Sequence, residues 1–272
     1  MSKALTQTFV CGKIKQEDRD MEVVRSKVKL LGYTMNINGE GPESVVAAAG
    51  KLCYSKVGIE ELSEKMTEED IVKFVKMLAN LGHYSPFEHA NFTFGIEGIS
   101  RACSHQIVRH RTGKFSQQSQ RYVDLESTFK IIMPPEIEAC PEARNMYIKS
   151  IEEDFDAYKN ITEALELKYI NEGMDEKSAN KKAIEDARFA LPNACETKLV
   201  MTIDARNLIN FFEKRCCKRA QWEIRNVANQ MLDLVLPVAP NLFAKAGAKC
   251  VFGNCPEGKM SCGEKQKPRA GQ

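Results

Sequence analysis

The sequence predicts an α+β fold, with helices set around a mostly antiparallel sheet in a single catalytic domain. Three observations predict it. Helical and alternating hydrophobic periods are interspersed along the chain, the strand-like segments lack regular strand–helix–strand spacing, and no internal repeat divides the 272 residues. The composition is that of an ordinary globular protein, 43% hydrophobic and 28% charged, in a chain long enough to bury a proper core.

Taken in order, residues 1–20 show no sustained period and read as an N-terminal extension. "SKVKLLGY" (26–33) alternates polar and apolar residues, the pattern of a half-buried strand. In "GEGPESVVAAAGKLCYS" the pair Gly39 and Gly41 lacks the third glycine of a dinucleotide loop, so Pro42 reads as the first residue of a short helix. "MTEEDIVKFVKMLANLGH" carries its own punctuation. Thr67 and Asp70 approximate a capping box, Ile71, Phe74, Val75 and Leu78 share a face, and Gly82 stops the helix, delivering His83 at its exit.

Strands are expected at 90–96, 127–135 and 196–205. Between the last two, Ile151, Phe155, Tyr158 and Leu165 fall at helical spacing, a turn follows at Asn171-Glu172-Gly173, and a shorter helix ends near Leu191-Pro192. A long helix is expected from Asp204 through Trp222 towards Leu236, stopped by Pro237. The Gly-, Pro-, Lys- and Cys-rich end reads as a loosely ordered tail. The predicted organisation is thus an extension (1–20), a catalytic domain (21–240) and a tail (241–272).

Net charge is only +2, so the chain as a whole is no polyanion binder and its positive charge is local. No apolar run approaches the roughly 18–20 residues that span a bilayer, and no signal peptide leads the chain. Ten cysteines without a secretory signal read as reduced thiols, and the expected location is the cytoplasm.

The local charge lies in one place. No Asp or Glu occurs between Gly98 and Val123, while Arg101, Arg109, Arg111, Lys114 and Arg121 do, and all four histidines (His83, His89, His105, His110) fall in the window that ends here. Guanidinium forks bind phosphate oxygens bidentately, and the interleaved Ser and Gln add neutral donors that orient a polar ring. The plainer alternative is a solvated basic loop. A nucleic-acid patch is a third reading, weakened by the scarcity of aromatics, only Phe115 and Tyr122.

In "GHYSPFEH" (82–89) the two histidines miss the i, i+4 spacing of a helical zinc pair and Pro86 interrupts a helix, so no metal is assigned. His83 and Ser85 instead offer donors to a ligand, with Glu88 and His89 anchoring the turn. The late helix carries Arg206, Lys214, Arg215, Lys218, Arg219 and Arg225, including two like-charge i, i+4 pairs that ask for an anion, while Asn207 and Asn210 share a face suited to a polar ring edge. Cys250, Cys255 and Cys262 give three possible metal ligands where a structural zinc wants four, and Cys216-Cys217 reads as helix packing.

Arg109-His110-Arg111, seven residues, Ser119, then Gln120-Arg121-Tyr122 resembles the signature of the flavin-dependent thymidylate synthases. "GHYSPFEHANFTF" upstream and "DARNLINFF" leading into "AQWEI" downstream agree, and the likeness covers roughly residues 25–240. The resemblance implies a mixed α+β subunit in a homotetramer that converts dUMP to dTMP. Methylenetetrahydrofolate is the carbon donor and NADPH the reductant, acting through bound FAD. Partners are then small molecules, with neither nucleic acid nor membrane among them.

Carried over by position, the resemblance makes His83, Ser85, Arg109, His110, Arg111, Gln117, Asp204, Arg206 and Asn210 FAD contacts. It makes Gln106, Arg109, Gln117, Gln118, Ser119, Gln120, Arg121, Arg188 and Arg215 dUMP contacts, with Arg215 the catalytic group that stabilises the ionised uracil. The two basic clusters, 101–121 and 204–219, then need not meet within one chain. Lys114 and Ser116 stand where many members carry Ser and Asn, and Asp204 where Asn is common.

Overall fold

A computed structural model describes residues 21–56, 58–62, 66–121, 129–270 and 272. The expected N-terminal extension and Tyr122 lie outside the described residues. In chain order the elements are β1 (Met21–Val24), β2 (Lys27–Tyr33), α1 (Pro42–Tyr54), α2 (Ile59–Leu62), α3 (Glu68–Leu81), a 3₁₀ turn (Ser85–His89), β3 (Asn91–Ser100), α4 (Arg101–Ile107) and β4 (Lys114–Gln117). There follow β5 (Phe129–Ile132), α5 (Pro135–Ala139), α6 (Pro141–Asn171), α7 (Glu176–Ala187), β6 (Glu196–Asp204), α8 (Ala205–Arg215) and α9 (Trp222–Val235). The fold is mixed α+β, as expected, and its described residues cluster into two compact units.

The first unit takes in, among the described residues, 21–25, 98–104, 117–121 and 129–197. Its β1 and β5 pair in parallel, Met21 opposite Phe129. Phe129, Ile131, Ile151 and Cys195 form its core, and Phe155 stacks on Phe129 at 4.5 Å between ring centres. The helical spacing of Ile151, Phe155 and Tyr158 therefore marks the face that α6 buries. Further along, Tyr169 packs on Ala179 and Ala183, which closes α6 and α7 into a hairpin around Gly173, whose φ of 94° suits a residue without a Cβ.

The second unit comprises 26–97, 105–116 and 198 onwards. Its sheet runs β2-β3-β6-β4, with β2 and β3 antiparallel. Along β3 the side chains of Phe92, Phe94 and Ile96 point inward, and on β6 Leu199, Met201 and Ile203 do the same, so alternation in sequence becomes one buried sheet face. Helix α9 adds Ile224, Val227, Met231 and Val235, each fully buried. Burial of such side chains stabilises by roughly 1.5–3 kcal/mol apiece before conformational entropy is counted.

The expected cap of α3 is present. The Thr67 hydroxyl accepts from the Asp70 amide, and Gly82 takes the left-handed conformation, φ 70°, that ends the helix. Two expectations need correction. The long helix from Asp204 is two helices, because α8 ends at Arg215 and α9 begins at Trp222. On a continuous helix Lys214/Lys218 and Arg215/Arg219 would repel. Instead Gln221 accepts from the Glu223 and Ile224 amides and starts a fresh helix, and Arg225 donates to the Lys218 carbonyl. Cys216-Cys217 accordingly lies in the turn, not on a helix. The tail, expected to be loose, is tied down: Arg269 pairs with Asp233 at 2.9 Å, and Gln272 donates to the Phe243 and Ala246 carbonyls.

Candidate functional site

In the second unit the α4–β4 connection carries the basic motif. Helix α4 stops at Ile107, whose carbonyl accepts from the His110 amide, and Gly113 then donates to the His110 carbonyl. A Cβ at Gly113 would lie 2.6 Å from the tip of the Phe115 ring, so glycine lets that ring lie against the turn. The result projects Arg109 and Arg111 outward and turns His110 inward. Neither arginine pairs with a carboxylate among the described residues.

His110 meets the late basic cluster. Arg215 Nε donates to His110 Nε2 at 3.0 Å, and the imidazole packs edge-on against Phe211, 4.8 Å between ring centres. The two basic clusters, which need not meet within one chain, touch at these two residues. Burial first, and then the Arg215 and Lys214 charges, push the His110 pKa down to about 4. The ring is neutral at pH 7. Because its Nε2 accepts, the proton sits on Nδ1.

The exit of α3 and the 3₁₀ turn that follows supply a second group. His83 Nδ1 lies 2.5 Å from the Tyr54 hydroxyl and its Nε2 lies 2.8 Å from the Ser85 hydroxyl, so both ring nitrogens are held. Glu88, expected to anchor its own turn, instead accepts from Arg206 at 2.5 Å, with both side chains about half exposed. Such a pair contributes about 0–1 kcal/mol. It orients Arg206 without locking it, and a phosphate could replace Glu88 at little cost. His89, His105 and Asn210 are exposed, and Gln106 is half-buried on α4.

Asp204 is 8% exposed and serves as the N-cap of α8. Its carboxylate accepts from the Asn207 amide at 2.9 Å and from Asn207 Nδ2 at 2.7 Å. Asn207 is thus committed to the cap and does not share a ligand-facing role with Asn210, as the spacing had implied. Arg206 and Asn210, four apart, occupy the exposed face of the same helix.

The first unit holds the remaining candidates. Gln117 Nε2 donates to Ser104 Oγ at 3.0 Å and to Thr197 Oγ1 at 3.1 Å, and both hydroxyl residues are buried. Arg101 reaches the same Thr197. Burial, followed by the nearby Arg188 guanidinium, pushes the Arg101 pKa below the usual arginine range. Two arginines this close cost energy unless an anion offsets them. Arg188 donates to the Glu185 carbonyl, and the Glu185 carboxylate pairs with Arg121 at 2.8 Å. Ser119 accepts from the Arg121 amide, while Gln118 is exposed and Gln120 half-buried.

Sequence reasoning missed Tyr54, Ser104, Thr197 and Glu185. Only Tyr54 stood in a quoted motif, and lone hydroxyls or acids within a strand or helix carry no local signal. The donors of the second unit, cationic Arg109, Arg111 and Arg206 with His83 and Ser85, have the chemistry to hold a pyrophosphate and a flavin ring edge.

Comparison with known proteins bears on the family. The family model described as thymidylate synthase complementing protein matches residues 29–241, a span that crosses both units. The flavin-dependent thymidylate synthase of Clostridium tetani is 57% identical over 238 residues, covering 88% of this chain and 93% of that one. The flavin-dependent thymidylate synthases of Geobacter sulfurreducens (46% over 239 residues; 88% and 94%) and Pyrococcus furiosus (37% over 243 residues; 85% and 89%) are similar along the same length.

Proposed function

The chain belongs to the flavin-dependent thymidylate synthases, and from that premise we propose how its residues divide the conversion of dUMP to dTMP. Methylenetetrahydrofolate is the carbon donor and NADPH the reductant. Bound FAD supplies the hydride. His83, Ser85, Arg109, His110, Arg111, Arg206 and Asn210 hold the flavin nucleotide. Asp204 acts there indirectly, by capping the helix that carries Arg206 and Asn210.

Gln106, Gln118, Ser119, Gln120, Arg121 and Arg188 hold dUMP, with Arg109 and Gln117 serving both ligands. Arg215 lies against the uracil and stabilises the ring as it gains negative charge, the electrostatic role that a site without a thiol nucleophile needs. Supporting this assignment, the described cysteines with a resolved shift, Cys195 and Cys216, are buried thiols pushed up to about 12 and about 11, the reverse of an activated nucleophile. The functional form is a homotetramer with shared sites. The 84% exposed Phe189 beside Arg188 is the kind of side chain that such an assembly covers. The enzyme works in the cytoplasm. The basic segment lies inside the family match, so the nucleic-acid reading is set aside.

The observation that carries this reading is the Arg215–His110 hydrogen bond, which joins the Arg-His-Arg turn to the arginine that the late helix presents. Arg215→Ala should lower dTMP formation by about 10²–10³-fold, the cost of one lost electrostatic donor, with flavin content unchanged. Full turnover in that variant would move the activating role elsewhere.

A further inference from the structure

Nine of the ten cysteines lie among the described residues, all as free thiols, and four of them line one place. A cleft of about 440 Å³ in the second unit is bordered by Cys217 from the α8–α9 turn and by Cys250, Cys255 and Cys262 from the tail. The sequence offers three ligands in the tail at irregular spacing, and the fold supplies the fourth. The vicinal pair divides its labour accordingly: Cys216 is buried in packing, while Cys217 faces the cleft.

We propose that Cys217, Cys250, Cys255 and Cys262 hold one zinc ion as four thiolates, stapling the tail to the turn that follows α8. Four soft sulfur donors select zinc among the common divalent ions and match its tetrahedral preference. The four thiols release their protons to solvent as the ion binds, and the tetrathiolate site carries a net charge of −2. Lys214, Arg215, Arg219 and Lys249 border the same cleft together with Glu213 and Glu257, four cations against two carboxylates, and the surplus of positive charge offsets that of the thiolates. Zn²⁺ itself needs neither oxidant nor reductant.

Among the described residues, no three His, Cys, Asp or Glu side chains yet stand close enough to hold an ion. Binding therefore includes a closing movement, and the sequence puts it in the outer wall. Cys217 is half-buried and Cys250 buried on the packed side, whereas Cys255 and Cys262 are exposed in a segment punctuated by Gly258 (φ 53°) and Gly263 (φ 75°). The Arg219–Glu257 pair, at 2.6 Å, and Gln266, which donates to the Cys216 carbonyl, already bring that segment over the turn.

The test is the metal content of the full chain, purified without chelator and without a polyhistidine tag. About one zinc per chain is expected, falling several-fold in Cys255→Ser and in Cys262→Ser and unchanged in Cys53→Ser, whose exposed thiol lies on α1 away from the cleft. Should the serine variants not fold, cobalt(II) added to demetallated wild type decides, since a tetrahedral thiolate site gives it intense visible absorption. Wild type without zinc and without that cobalt spectrum, or zinc retained by both tail variants, would overturn the site. Iron with acid-labile sulfide in zinc's place would overturn the ion.

Discussion

At the scale of single residues, His110 shows how one proton fixes a geometry. A charged imidazole has no lone pair for Arg215 Nε, so the 3.0 Å contact exists only while His110 is neutral. The folded-state pKa, about 4, lies below the ordinary 6.5, so the neutral ring favours the fold at neutral pH, and that contribution is lost as pH falls from 6.5 through about 4. Nitrogen NMR of the ring should therefore show the Nδ1–H tautomer at pH 6, with protonation only well below pH 5. A ring already charged at pH 6 would contradict the assignment of Nε2 as acceptor.

Asp204 has a comparable single-residue logic. Asp204→Ala removes the α8 cap and should cost about 1–2 kcal/mol, read as a lower denaturant midpoint, whereas Asp204→Asn should keep most of it because both residues cap well.

At the scale of elements, local chemistry proved legible wherever one side chain sets a boundary. Thr67 and Gly82 frame α3, and Pro42 opens α1, because caps and turns depend on neighbours in sequence. Thr67→Ala should accordingly cost about 1 kcal/mol in unfolding experiments without changing flavin content. The α8–α9 break was hidden because Gln221, not one of the usual capping residues, accepts both first-turn amides, and because the adjacent apolar residues keep a helical rhythm across the turn. The like-charge pairs were the available clue, and they pointed to a missing helix rather than to a missing anion. The tail misled for a different reason: its composition is that of a loop, but its order comes from contacts 26 to 50 residues back, such as Gln266 to Cys216 and Gln272 to Ala246. No window along the sequence contains those partners.

At the scale of the whole molecule, the candidate site was legible as far as its residues sit in short motifs whose chemistry is unusual, an acid-free run of arginines above all. What the motifs did not disclose is the division of the candidates between two units. His83, His110, Arg206 and Arg215 belong to one, and Gln117, Arg121 and Arg188 to the other. An assembly with shared sites lets both sets serve one reaction, so sedimentation should give a mass near four times 30.6 kDa. A monomer that retained full activity would rule out shared sites.

The central claim, that this chain binds flavin and uses it on dUMP, is tested most directly by the visible absorption of the full protein held without oxygen. The oxidised flavin bands should bleach on adding NADPH and return only when dUMP and methylenetetrahydrofolate are both present, with one dTMP formed for each flavin reoxidised. A protein that takes up no FAD, or a reduced flavin that dUMP and the folate together leave bleached, would contradict the account.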